Sequence, residues 1–101
     1  MPMKLDKILS YISLAQKSGK LVSGEFMTEK MVKSKKAFLV IVAEDASANT
    51  KKMFTNMCRF YEVPICYMAD KEQLGHKMGK ELRASCAIMD KGLANAIREN
   101  M

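Results

Sequence analysis

Six consecutive apolar residues, Phe38-Leu39-Val40-Ile41-Val42-Ala43, constrain this chain more than any other feature. The run is largely β-branched and has no polar side. It fits a strand covered by protein on both faces, which requires helices or other layers above and below it. The flanking sequence supplies them. Leu5, Ile8, Leu9, Ile12 and Ala15 recur at helical spacing and predict an amphipathic helix over residues 3–17, with Gly19 at its C-terminal end. Leu21-Val22 reads as a brief strand. From Gly24 the spacing turns helical again, with Met27 and Met31 four apart, and Ser34-Lys35-Lys36 forms a basic turn.

Beyond the central run the alternation continues. Glu44-Asp45-Ala46-Ser47 ends the strand, and Ser47 is placed to cap a helix that buries Met53, Phe54, Met57, Cys58 and Tyr61. Val63 to Met68 reads as a second central strand, with Pro64 near its start where a missing N–H is tolerated. Asp70 and Gln73 have the spacing of a capping box for a short helix through Met78. Residues 85–89 predict a third apolar strand, and Leu93, Ala94 and Ile97 one face of a final helix. Strands alternating with helices point to an α/β sandwich. At 101 residues, without linker or repeat, the chain reads as a single domain over 1–101.

Charge gives the first indication of a partner. Residues 1–40 hold eight lysines against Asp6, Glu25 and Glu29, a local +5 out of a net +6. A basic half on a small protein favours a polyanion, most often nucleic acid; the plainer account is a solvated lysine surface. No apolar run approaches the roughly 20 residues that span a bilayer, and Lys4, Asp6 and Lys7 interrupt any secretory pattern. A cytoplasmic protein without membrane contact is the expectation.

Candidate catalytic chemistry is sparse. Cys58, Cys66 and Cys86 form no CxxC pair and sit among apolar residues, which reads as reduced core thiols and not as zinc ligands or a disulfide framework. His76, the single histidine, reads as an exposed helix residue; pairing with a cysteine nucleophile is the alternative. Gly75-His76-Lys77-Met78-Gly79-Lys80 resembles a phosphate loop, but its glycines are one position too close and Glu81 follows the lysine. Glu44-Asp45 lacks a partner and reads as strand termination. No enzyme, metal or cofactor is expected. The ten methionines read as core filling.

The order of motifs is more specific. Lys20-Leu21-Val22-Ser23-Gly24 is followed by a helix bearing Lys30, then Phe38 to Asp45, Cys58 with Val63-Pro64, Leu74-Gly75 followed by Gly79, and Asp90-Lys91-Gly92. This series resembles the ribosomal L-seven-Ae / L-thirty-e superfamily, most closely its bacterial YlxQ-like branch, over nearly the whole chain. The resemblance implies a three-layer α/β/α sandwich with a small mixed sheet. It implies binding of RNA, with kink-turns or related rRNA-like structures as the target, and association with ribosomes. Nothing in the chain requires more than a monomer.

The resemblance also implies a binding surface. The family motif G-x-N-E-x-x-K is matched by Gly24 and Lys30, while Phe26-Met27 stand where it has Asn-Glu. That pair reads tandem G·A base pairs, and Phe and Met cannot make its hydrogen bonds. Each good bidentate base contact is worth roughly 1–3 kcal/mol, so kink-turn selectivity should fall by about 10²-fold. Phe26 reads as a core aromatic in preference to a substitute stacking residue. Around the motif the implied contacts are Lys20, Ser23, Glu25 and Lys33. Ser47 and Lys51 follow the central strand, and Leu82, Arg83 and Ala84 are the contacts in the loop Lys80-Glu81-Leu82-Arg83-Ala84 that meets bulged bases. Gly24, Glu25, Lys30, Lys33, Leu82 and Arg83 are expected on one face. Loss of Asn-Glu also admits an alternative: a protein–protein interaction module on the same scaffold.

Overall fold

The structure, a computed structural model, describes residues 4–101; the first residues of the helix expected over 3–17 and of the domain expected over 1–101 lie outside them. Helix α1 (Leu5–Lys17) leads to strand β1 (Leu21–Ser23), then α2 (Glu25–Lys33), β2 (Leu39–Val42), α3 (Ala48–Tyr61), β3 (Ile65–Tyr67), α4 (Lys71–Lys77), β4 (Ser85–Ile88) and α5 (Lys91–Glu99). The strands form one sheet in the order β1-β4-β2-β3. β4 runs antiparallel to both β1 and β2, and β3 runs parallel to β2, so the sheet is mixed.

β2 and β4 are buried along their whole length, β2 as an unbroken apolar run and β4 with the polar Ser85 at its start. One face packs on α1, α4 and α5 through Ile8, Ile12, Leu74 and Ile97, with Leu39, Ile41 and Ile88 pointing to it. The other packs on α2 and α3 through Val32, Phe54 and Cys58, with Val40, Val42 and Ala87. Alternate residues of one strand thus serve opposite layers. Phe54 is fully buried, and burial of a side chain of that size contributes about 1.5–3 kcal/mol. Thr28 on α2 is also buried, and its hydroxyl has no hydrogen-bond partner among the described residues.

Two expectations are corrected. The Val63–Met68 segment is not a central strand: β3 is an edge, only its middle residue is fully buried, and the second central position belongs to β4. Its Val, Ile and Tyr content fits either place, because α3 covers one side of it and Thr55 on that helix is hydrogen-bonded to the Tyr67 hydroxyl. Phe38 precedes β2 and is 42% exposed, although its N–H still donates to the Ile88 carbonyl (2.8 Å). The sheet begins at Leu39, which leaves Phe38 at its margin and only partly covered.

Because β1 and β2 are both antiparallel to β4, they point the same way. Ser23, Val42 and Ser85 mark one end of the sheet; Leu21, Leu39 and Ile88 mark the other.

Candidate nucleic-acid interface

The Ser23 end collects the turn into α2, the loop after β2 and the segment before β4. Gly24 makes the turn with φ 88, a conformation that L side chains rarely adopt, and its N–H donates to the Ser85 carbonyl (3.0 Å). α2 therefore starts directly over the start of β4. The Ala43 N–H donates to the Ala84 carbonyl (2.8 Å), which ties the loop after β2 to the same place.

Arg83 is the pin of this end. Its Nε donates to Ser23 Oγ (3.1 Å), its Nη1 to the Leu82 carbonyl (2.7 Å), and its backbone N–H to the Lys71 carbonyl (3.0 Å). Among the described residues no carboxylate pairs with it, so no internal anion competes with a ligand for its remaining donors. Leu82 beside it is 55% exposed. The loop is seated by Gly75: a methyl group there would lie 3.0 Å from Leu82 Cα and closer still to the Glu81 carbonyl.

The helices that begin here differ in one respect. Ser47 caps α3, its Oγ accepting from the Thr50 N–H (3.1 Å), and Asp70 caps α4 in a full capping box. α2 has no side-chain cap, since Gly24 has no side chain to offer. Its first N–H groups stay open, and together with the helix dipole they favour an anion. Ser47, by contrast, spends its hydroxyl on the cap and on Thr50 Oγ1 (2.9 Å).

Ser23, Gly24, Glu25, Leu82, Arg83 and Ala84 are brought together, with Ser47 and the half-buried Lys51 on the adjoining first turn of α3. Lys30 is exposed near the end of α2. Lys33 in its last turn is held by Glu29 (2.8 Å), whose hydrogen bond and charge raise the lysine pKa. Lys20 precedes β1 and so lies at the other end of that strand. Phe26 is not a core aromatic: it is 74% exposed in the first turn of α2, because Thr28, Met31 and Val32 form the buried face of that helix. Sequence periodicity missed this, since one aromatic fits either face of a short helix. The Arg83–Ser23 bond joins residues distant in sequence and left no local signal.

Elsewhere the chemistry is quiet. A cleft of about 780 Å³ between α1 and α4 includes His76, Asp6, Asp70, Glu72 and Lys80; its mixed charge does not suit a polyanion. The three thiols are buried away from it. Burial pushes the Cys58 pKa up to about 11 and that of Cys66 to about 12, and raises that of Cys86 as well. They stay protonated at neutral pH, the opposite of a nucleophilic cysteine. No helix among the described residues is long and apolar enough to cross a membrane.

The profile of the family described as Ribosomal protein L7Ae/L30e/S12e/Gadd45 matches residues 6–97. The chain is 40% identical over 86 residues to a Bacillus subtilis (strain 168) protein named RNA-binding protein YlxQ, covering 85% of this chain and 86% of that one. To the protein of the same name from Enterococcus faecium it is 37% identical over 93 residues, 92% and 89% of the two chains. These relatives are named for RNA binding and not for catalysis, in agreement with the expectation of a non-enzyme. A solved Bacillus halodurans protein of unknown function superposes with TM-score 0.89 at 30% identity, over 92% of this chain and 94% of that one. The Giardia lamblia 15.5kD RNA binding protein superposes with TM-score 0.83 at 22% identity, over 98% and 86%. The expected three-layer α/β/α sandwich with a small mixed sheet is therefore the observed fold.

Proposed function

The chain belongs to the ribosomal protein L7Ae/L30e/S12e/Gadd45 family, and from that premise we propose that it binds structured RNA through the Ser23 end of its sheet. The RNA is of kink-turn or related type, and the protein acts as one monomeric domain, cytoplasmic and ribosome-associated. The observation that carries this reading is the uncapped N-terminus of α2 beside an Arg83 already fixed on Ser23. Open helix N–H groups and a preset guanidinium suit the sugar-phosphate backbone of a sharply bent strand. Leu82 offers apolar atoms to a flipped-out base. Phe26, exposed where the family motif has Asn, can stack but cannot read G·A edges. Shape and phosphates then dominate recognition, and the G·A readout is weakened.

The test is a titration of a fluorescent kink-turn RNA beside a control whose G·A pairs are Watson–Crick, at two salt concentrations. Binding should prefer the kink-turn modestly and weaken with salt, because release of counterions from the RNA gains less free energy as salt rises. Arg83→Ala substitution should reduce affinity about tenfold or more, because it removes the guanidinium preset on Ser23. Undiminished affinity in that variant would remove the assigned face. No binding to either RNA at low salt would shift the function to a protein partner.

A further inference from the structure

The other end of the sandwich holds a cluster that this reading does not use. α2 and α3 each follow a strand that points toward the Ser23 end, so both run back and finish near the start of β2. α2 ends at Lys33, followed by Lys35 and Lys36, and α3 ends with Arg59, Phe60 and Tyr61, capped by the exposed Glu62. Tyr61 lies within electrostatic reach of Lys33. Phe60 is 78% exposed and meets Tyr61 edge-to-face, with ring centroids 4.9 Å apart. The part-exposed Phe38 enters the sheet at the same end. Among the described residues Lys35, Lys36 and Arg59 pair with no carboxylate.

Lys35 is also in an unusual conformation. α1 ends with the Lys20 N–H on the Ala15 carbonyl (2.8 Å), the Gly19 N–H on the Gln16 carbonyl (3.2 Å), and Gly19 at φ 72. α2 ends in the same closure, with the Lys36 N–H on Met31 (2.9 Å) and the Lys35 N–H on Val32 (3.1 Å), but Lys35 takes the left-handed position at φ 58. Glycine closes such a turn with less strain. Lysines near helix C-termini do complement the dipole. That explains neither a lysine at the strained position nor a phenylalanine ring left in solvent.

We propose that this end is a second RNA contact surface, for an unpaired strand, with Phe60 as stacking platform and Lys35, Lys36 and Arg59 on the phosphates. An unpaired strand offers flat bases and anionic phosphates in alternation, which is the chemistry that exposed rings among free cations accept. The proposal rests on the RNA-binding reading, and it makes the protein a bridge between a folded RNA element and a neighbouring single strand.

The test uses the full chain and a fluorescent 12-nucleotide oligouridylate beside the kink-turn RNA. Phe60→Ala should weaken oligouridylate binding about fivefold or more and leave kink-turn binding within about twofold. Lys35→Gly should raise the melting temperature yet lower oligouridylate affinity, with a salt slope shallower by about 0.7. A merely structural lysine would not move stability and affinity in opposite directions. Kink-turn binding with oligouridylate affinity unchanged in both variants overturns this surface alone. Absence of binding to either RNA overturns the reading beneath it as well. Phe60-dependent binding to phosphatidylserine vesicles without oligouridylate binding overturns the proposal in favour of a membrane.

Discussion

The two ends of the sheet are built by different means. At the Ser23 end polar groups hold one another: Arg83 on Ser23, the Lys71 N–H on Asp45 (2.9 Å), Thr50 on Ser47, and Gln73 with Asp70. At the Leu39 end the chain turns through left-handed Lys35 and Glu62, and its one side-chain ion pair among the described residues is Lys33–Glu29. The first end is organised before any ligand arrives, so little ordering entropy is left for binding to cost. The second presents long cations and rings that must be ordered on contact. Shape-selective recognition fits the first, and tolerant contact with a flexible strand fits the second.

The sharpest way to break this contrast is Gly75→Ala. The new methyl group meets the Glu81–Leu82 backbone, which cannot yield without moving the loop that carries Arg83. The expected cost is about 1–3 kcal/mol, or roughly 4–8 °C of melting temperature per kcal/mol, with loss of kink-turn affinity beyond what instability explains. A variant with wild-type stability and affinity would show that the loop is not seated by that helix. Next is Arg83→Lys. A lysine cannot hold Ser23 Oγ and the Leu82 carbonyl in one planar fork. Charge is kept and geometry lost, so kink-turn affinity should drop about tenfold while oligouridylate affinity holds; equal losses on both RNAs would show that the ends do not act separately.

Lys35→Gly sharpens the contrast from the other side. Relief of the left-handed strain should stabilise the fold by about 1 kcal/mol, read as a higher denaturant midpoint, where the loss of an ordinary surface lysine would change nothing. The smallest effect belongs to the interior that both ends share. An unfolded thiol ionises near pH 9.0, whereas folded Cys58 and Cys66 hold their protons to about 11 and about 12. The folded state therefore keeps protons that the unfolded state releases. Thiol stabilisation is complete below pH 9 and is lost as pH rises toward 12. Melting temperature should be insensitive to these groups near neutrality and fall in alkali, and a thiol reagent at pH 8 should label only unfolded protein. Rapid labelling of the native state at that pH would contradict the buried placement.

Most of the local architecture was legible in the sequence, because local rules govern it. The β-branched run gave β2, apolar spacing gave the buried faces of α1 and α5, and Ser47 and Asp70 stand at the caps that their side-chain oxygens predict. What escaped depends on partners far away in the chain. Ile65-Cys66-Tyr67 has the composition of a central strand, and only the pairing of β4 with both β1 and β2 puts it at the edge. Phe26 has the composition of a core residue, and only the orientation of α2, set by Thr28, Met31 and Val32, turns it outward. For the candidate site, the resemblance implied Gly24 and the loop carrying Leu82 to Ala84, whereas the Arg83–Ser23 bond that joins the two segments left no local signal. Lys35 looked like any lysine of a basic turn, because its conformation follows from a helix closure that usually selects glycine.

The bond between Arg83 and Ser23 spans sixty residues of sequence, and Leu21 pairs with Ile88 at still greater separation. A ribosome making this protein therefore releases α1, β1 and α2 long before β1 has anything to pair with. Until Ile88 has emerged, β1 has no neighbour in the sheet and Ser23 has no arginine above it. The proposed RNA-binding end is thus assembled only once β4 has been made and paired with β1, and a polypeptide that stops short of β4 lacks it.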